Sequence, residues 1–287
     1  MSSIGDRAVV FESTLGSREC VAGAHRWRYD AGGEGETVIL LPGGIGLGIG
    51  WLDLALALAP SMRVISVDYP HTAASFDELA DGVLAVLDAE GVGGAHVVGQ
   101  SAGGMLAEVL SRRAPGRIRS MVLSGTGLYG PEDIPRLGQK LAALRAMPVR
   151  QLRKAVLASL RAAWEDAEEA EFWVGRVDAA FSDAQLRQSS VNSCRALLHL
   201  AQRAGELRQR PAWQGPMLMV RAKDDTLITA LHTQRLLDLH PECDVRVFPT
   251  GGHSLLVTRP AEYTAAVGEF LARRRAPASG GSTGAAV

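Results

Sequence analysis

Short continuous apolar runs, each ended by glycine, proline or a polar residue, recur along the chain. Thr37-Val-Ile-Leu-Leu41 stops at Pro42-Gly43-Gly44, the pattern of a strand covered on both faces. Arg63 to Val67, Ala95 to Val98, Ile118 to Leu123, Met217 to Val220 and Asp244 to Phe248 repeat it. Between runs the apolar period lengthens to that of a helix, with Phe76, Leu79, Val83, Val86 and Leu87 on one face. Ser75-Phe-Asp-Glu78 matches a capping box at the start of that helix, and Gly91 can take the left-handed conformation that closes it. Strand and helix thus alternate from about 37 to 125 and again from about 216 to 273. This alternation predicts an α/β fold on a parallel sheet with right-handed crossovers.

Residues 128–211 break the alternation, being rich in Leu, Ala, Arg and Glu, and predict three or four helices without a strand. Leu141, Leu144, Leu152, Val156, Leu160 and Trp164 have roughly helical spacing, and Phe172-Trp173 adds aromatic bulk. Most such residues pack an insert onto the sheet domain, while some must face whatever cleft it covers. The expected organisation is a core of residues 1–127 and 212–275, a helical insert at 128–211 and a flexible tail at 276–287, where the sequence is small and polar.

With 47% hydrophobic and 21% charged residues in 287, the chain can bury a sizeable core, which excludes disorder of the whole. A formal net charge of -1 leaves no positive excess to neutralise a line of phosphates, so no nucleic-acid partner is expected. The arginine runs near 150–161 and 271–275 are offset by neighbouring acids and read as solvated helix faces. Cys20, Cys194 and Cys243 are an odd number, far apart and without a C-x-x-C pair, which fits a reducing cytoplasm. The first residues lack a basic segment followed by an apolar one, and no uncharged run approaches the ~20 apolar residues of a membrane span. Neither secretion nor membrane embedding is expected.

Gly99-Gln100-Ser101-Ala102-Gly103 has the form G-x-S-x-G, and it falls between an apolar run ending at Val98 and a helix pattern stopped by Pro115-Gly116. The form alone recurs by chance; its position at a strand-to-helix junction is what gives it weight. A serine hydroxyl needs a base to take its proton and a third group to orient that base. Among seven histidines, His253 in Gly251-Gly252-His253-Ser254 follows the run Asp244 to Phe248, at the carboxyl end of a strand, where open α/β sheets put their ligand sites. His71, after Asp68-Tyr69-Pro70, could also line the cleft; His96 reads as a packed strand residue, and His25, His199, His232 and His240 lack a companion motif. The acid is Asp224 or Asp225, in the loop after Met217 to Val220, unless that pair only caps the helix starting near Thr229.

Acyl transfer also needs donors for the oxygen that becomes negative. Pro42-Gly43-Gly44-Ile45-Gly46-Leu47-Gly48 can bring bare backbone N–H groups close, and the expected pair is the N–H of Gly44 and that of Ala102 at a helix start. The glycine run lacks the ending of a nucleotide-binding loop and the spacing of a dinucleotide fingerprint. No histidine or cysteine clustering points to a metal, and no cofactor is expected.

With these residues in hand, about 35–273 resembles the α/β-hydrolase superfamily: VVGQSAGGMLAE looks like its nucleophile elbow, and GGHS before TRPAEYTAAVGEFL like its histidine loop and last helix. VRAKDDTLIT looks like the family's G-x-x-D-x-x-x-P segment, with Ala222 for the glycine and Thr229 for the proline, and this selects Asp225. The resemblance implies a Ser101–His253–Asp225 triad, an oxyanion hole at Gly44 and Ala102, and a helical cap at 128–211 that shapes substrate choice. Two departures face the substrate side: Pro42-Gly43 stands for the family's His-Gly, and Asp68-Tyr-Pro-His-Thr72 replaces its D-x-x-G-x-G-x-S loop. The L-P and D-Y-P forms resemble maspardin-like proteins, and the Ala, Arg and Gly-rich composition is similar to that of actinobacterial biosynthetic enzymes, among them hydrolase-fold members that eliminate acetate from an acylated tetronate. The first expectation is therefore hydrolysis of a carboxylic ester or related acyl compound, a small-molecule substrate; the alternatives are a carboxylate-eliminating lyase and a non-catalytic binding protein. Gly43, Ile45, Gln100, His71, Leu128, Trp164 and Trp173 are the candidate substrate contacts. These motifs fix no oligomeric state.

Overall fold

The computed structural model describes residues 3–209 and 212–274, so the expected tail at 276–287 and the expected boundaries at 211 and 275 lie outside them. The strands are β1 (Gly16–Ala22), β2 (His25–Gly32), β3 (Thr37–Leu41), β4 (Arg63–Asp68), β5 (Ala95–Gln100), β6 (Ile118–Ser124), β7 (Met217–Ala222) and β8 (Asp244–Phe248). They form one eight-stranded sheet in the order β1-β2-β4-β3-β5-β6-β7-β8. From β4 to β8 every neighbouring pair is parallel. β1 and β2 add an antiparallel hairpin to one edge, β2 pairing antiparallel with β4.

The helices are α1 (Ile4–Thr14), α2 (Leu52–Leu58), α3 (Phe76–Ala89), α4 (Ala102–Arg113), α5 (Ile134–Ala146), α6 (Val149–Ala163), α7 (Ala170–Ala180), α8 (Asp183–Gln202), α9 (Ala204–Gln209), α10 (Ala230–Leu239), α11 (Leu255–Thr258) and α12 (Pro260–Arg274). Because side chains alternate across a strand, β3 sends Ile39 and Leu41 to one face and Val38 and Leu40 to the other, and all are buried. One face packs on α3 and α4 through Leu79, Val83, Leu106 and Leu110; the other packs on α2 and α12 through Leu52, Leu54, Tyr263 and Phe270. The connection from β6 to β7 holds five helices among the described residues, α5 to α9. It is tied to both layers: Ala196 and Leu200 of α8 join the first cluster, and Trp173, Val174 and Val177 of α7 join the second.

Two expectations need adjustment. At the start of α3, Ser75 Oγ accepts from the N–H of Glu78 at 3.2 Å, but the Glu78 carboxylate accepts from Ala74 N–H at 2.6 Å, so the return bond of the capping box lands one residue early. Gly91 takes φ +65°, and the N–H of Val92 reaches the Leu87 carbonyl at 2.8 Å to close the helix. β8, whose apolar run looks like the others, is an edge strand exposed along most of its length, with Val245 45% and Val247 37% exposed. A run of valines reports β-propensity whether or not a face is covered.

Behind the sheet, Glu108 of α4 is fully buried and bonds Arg112 at 2.6 Å and His240, just past α10, at 2.8 Å. Burial alone would raise this carboxyl, but the hydrogen bond and charge of His240, together with Arg112, outweigh it and hold it below the usual carboxylate range. Removing the carboxylate takes the buried acceptor away from His240 and one ion-pair partner from Arg112, so Glu108→Ala should cost about 3–5 kcal/mol in urea unfolding at neutral pH. A carboxyl depressed in the folded state stabilises above its unfolded pKa and loses that contribution as pH falls through the folded one, so the gap between variant and wild type should narrow in acid.

Candidate active site

β5 ends at Gln100 and α4 begins at Ala102, leaving Ser101 alone at the junction with φ 54° and ψ -117°. It is the one non-glycine residue with positive φ among the described residues. The surroundings account for the flanking glycines. A Cβ at Gly99 would stand 2.4 Å from the Gly103 carbonyl oxygen, and one at Gly103 would stand 2.1 Å from that of Leu41. The Ser101 N–H donates to the Ser124 carbonyl at 2.8 Å, and Thr126 Oγ1 donates to the Ser101 carbonyl at 2.7 Å, so the strained residue is clamped on both sides of its peptide.

The turn aims the Ser101 hydroxyl at His253, with Oγ 2.9 Å from Nε2. On the far side of the ring, Nδ1 lies 3.0 Å from Oδ2 of Asp225. A carboxylate can only accept, so Nδ1 carries the proton and Nε2 is left to accept from the serine. Oδ1 of Asp225 accepts from the N–H groups of Leu227 and Ile228 at 2.8 and 3.1 Å. Burial pushes the Asp225 carboxyl up, but the His253 hydrogen bond and charge and these two N–H groups together bring it below its ordinary value.

The two aspartates left open by local reading divide the work. Asp224 turns the other way and accepts from Gly251 and Gly252 N–H at 3.1 and 2.9 Å, pinning the backbone of the histidine loop. Gln100 Nε2 holds the His253 carbonyl at 3.3 Å, and Thr258 Oγ1 holds that of Gly251 at 2.6 Å. The helix α10 is capped instead by Thr229, whose side chain accepts from His232 N–H.

The glycine loop after β3 lies across from the start of α4. Tyr69 N–H donates to the Gly46 carbonyl at 2.8 Å, and Asp68 Oδ1 accepts from Gly48 N–H at 2.6 Å, so the D-Y-P segment braces this loop. A cavity opens between loop, helix and insert, with Gly44, Ile45, His71 and Ala102 on the sheet side and Ser189 and Ser193 from α8 opposite. Four of the sequence-derived positions are thus brought together. Gly43 and Gln100 lie behind: a Cβ at Gly43 would meet Gln100 Oε1 at 2.3 Å and Ser101 Cβ at 3.5 Å. Leu128, Trp164 and Trp173 are not in the wall of this cavity; Leu128 joins the core cluster under α3 and α4, and the tryptophans join the one containing Phe11 and Trp51. Their bulk anchors the insert.

Local reading passed over Tyr69 and the polar face of α8. Asn192 is buried and donates to the carbonyls of His71 and Thr72 at 3.0 and 3.3 Å, tying the insert to the cavity rim. Ser189, Asn192, Ser193 and Ala196 follow helical spacing, a small and polar stripe that was the available signal. His96, His232 and His240 are buried partners of Ser120, Asp133 and Glu108. Among the described residues no group of three or more His, Cys, Asp or Glu side chains could hold a metal ion, and no helix is long and apolar enough to cross a membrane.

A strand-turn-helix that holds a serine against a histidine, on an eight-stranded sheet of this order, defines a class, and the chain belongs to it: the α/β hydrolase family matches over residues 38–267. RutD of Variovorax paradoxus, named as a carbamate hydrolase, is 29% identical over 85% of this chain and 94% of its own length. A 2-hydroxy-6-oxononadienedioate/2-hydroxy-6-oxononatrienedioate hydrolase of Burkholderia vietnamiensis is also 29% identical, over 86% and 91%. The solved enol-lactonase of Burkholderia xenovorans superposes with a TM-score of 0.73 at 18% identity, over 89% of this chain and all of that one, a likeness of fold. The chain is an enzyme of the α/β hydrolase type.

The backbone at Ser101 provides a test separate from any chemistry. Positive φ with this ψ costs a side chain about 1–3 kcal/mol, and glycine relieves it at a smaller entropic cost. Ser101→Gly should therefore be about 1 kcal/mol more stable than Ser101→Ala in chemical denaturation; equal stabilities would contradict a strained junction.

Proposed function

We propose that this enzyme hydrolyses a carboxylic ester or similarly activated acyl compound through an acyl-Ser101 intermediate. The observation that carries this reading is the unbroken series of hydrogen bonds, 2.9 Å from Ser101 to His253 and 3.0 Å from His253 to Asp225. Relatives named as hydrolases support it.

In this mechanism Ser101 Oγ attacks the carbonyl carbon while its proton passes to His253 Nε2. The carbonyl oxygen becomes negative and accepts from the N–H groups of Ala102 and Gly44, with the start of α4 adding about half a positive charge in the same direction. The imidazolium returns its proton to the leaving oxygen, and the alcohol departs. Water then attacks the acyl carbon as His253 takes its proton, Ser101 recovers a proton from His253, and the acid is released. Asp225 keeps the ring in one tautomer and stabilises its cation. The helices α5 to α9 act as a cap, and no step calls for a cofactor.

Ser101→Ala should lower kcat on a p-nitrophenyl ester by ~10⁴ to 10⁶ with unchanged circular dichroism; near-normal turnover would remove serine catalysis. In ¹⁸O-water a single-turnover experiment should label the released acid and not the alcohol. An unlabelled carboxylate released with an alkene product would instead mark elimination. Because His253 must be neutral to act as base and Asp225 is held below its ordinary value, kcat/KM should fall in acid through one protonation, not two.

A further inference from the structure

β8 ends the sheet on the side away from the β1–β2 hairpin, and no strand among the described residues pairs with its outer edge. In an extended strand the N–H and C=O of one residue point to the same side, and successive residues alternate. The Phe248 carbonyl accepts from Lys223 N–H at 3.0 Å, so Phe248, Arg246 and Asp244 direct their backbone groups to β7. Val245 and Val247 therefore turn theirs outward. The Cys243 carbonyl, opposed to the Asp244 N–H across one planar peptide, points the same way. None of these outward groups has a backbone partner among the described residues.

Side chains alternate as well. Phe248 joins the core cluster of α12, and Asp244 lies 3.6 Å from Arg274 of that helix, so Asp244 and Arg246 share the α12 face. The exposed Val245 and Val247 share the opposite one. An open edge carrying valines is a template for a further strand.

The order of charges says which strand fits. Two copies of one strand close on each other antiparallel, about a two-fold axis, with outward-facing residues opposite one another. Centring the pair on Asp244 sets Asp against Asp, and centring it on Arg246 sets Arg against Arg. Centring on Val247 carries the pairing past the end of the strand and leaves Arg246 against Phe248. Centring on Val245 puts Asp244 opposite the partner's Arg246, twice, on one face. On the other face Val245 meets its own counterpart, and Val247 meets the partner's Cys243. Opposite charges across strands favour pairing, and like charges oppose it.

We propose that β8 is the interface of a two-fold dimer in which two copies of this chain join their sheets through antiparallel β8 strands centred on Val245. The Val245 N–H and C=O bond their counterparts, and Val247 N–H donates to the Cys243 carbonyl of the partner subunit. A strand of five residues makes a small contact beside permanent interfaces, so the dimer is reversible and depends on concentration. None of these residues belongs to the acyl-Ser101 mechanism, so the dimer stands or falls apart from the proposed chemistry.

Sedimentation velocity of the full chain, in a series rising to about 0.1 mM, should show monomer giving way to dimer. Asp244→Arg and Arg246→Asp each set like charges opposite one another in both pairs and should raise the dimer dissociation constant about tenfold or more. The double exchange restores opposite signs and should recover the wild-type value. Val247→Pro removes an outward donor and leaves the β7 ladder intact, so it should sediment as monomer with wild-type circular dichroism. A monomeric wild type overturns the proposal, slow amide exchange at Val247 in that monomer showing that another part of the same chain covers the edge. A dimer indifferent to the charge reversals and to Val247→Pro overturns it by placing the contact elsewhere, and failure of the double exchange to restore binding overturns the register.

Discussion

Backbone crowding at the end of β5 leaves no room for side chains at positions 99 and 103, and the placement of Ser101 depends on it. The helix α4 presses so close to β5 and to the end of β3 that only glycine fits, and the chain between them must turn through a conformation that costs a serine about 1–3 kcal/mol. Bonds to Ser124 and Thr126 from β6 and its following turn hold it there. The same closeness sets the Pro42–Gly44 backbone beside Ser101, where a Cβ at Gly43 would stand 3.5 Å from that of the serine. One packing constraint thus positions the hydroxyl, the first N–H of α4 and the glycine loop.

Around this junction each loop is held by a neighbour's side chain. Asp224 and Gln100 fix the backbone around His253, leaving its ring to Asp225 and Ser101. Asp68 fixes the glycine loop, and Asn192 fixes the segment after β4 to α8. Because the insert is tied to the rim by a buried side chain and to the core by Trp173, Val174 and Val177, α8 forms one wall of the cavity. The D-Y-P segment and α8 thus face each other across that cavity.

The strands covered on both faces were legible because each is a continuous apolar run closed by a breaker, as in Thr37 to Leu41. β1 and β2 were not: β1 is largely exposed, and in β2 the polar Arg26, Arg28 and Asp30 alternate with the buried Trp27, Tyr29 and Ala31, so neither makes a continuous apolar run. The local surroundings of Ser101 and His253 marked them, because glycine spacing reports backbone crowding. Asp224 and Asp225 are chemically identical neighbours, and only resemblance, then direction in space, separates them. The aromatic residues of the insert stay undivided in local reading, because large side chains serve anchoring and substrate contact equally well until their neighbours are known.

The central claim is that Ser101 is a nucleophile activated through His253 and Asp225. Mass spectrometry of the intact protein after a fluorophosphonate probe, followed by peptide mapping, tests it most directly. The account predicts a single adduct on Ser101 in wild type and a severe loss of labelling rate when His253 is replaced by alanine. An unreactive wild type, or an adduct on a different residue, would contradict it.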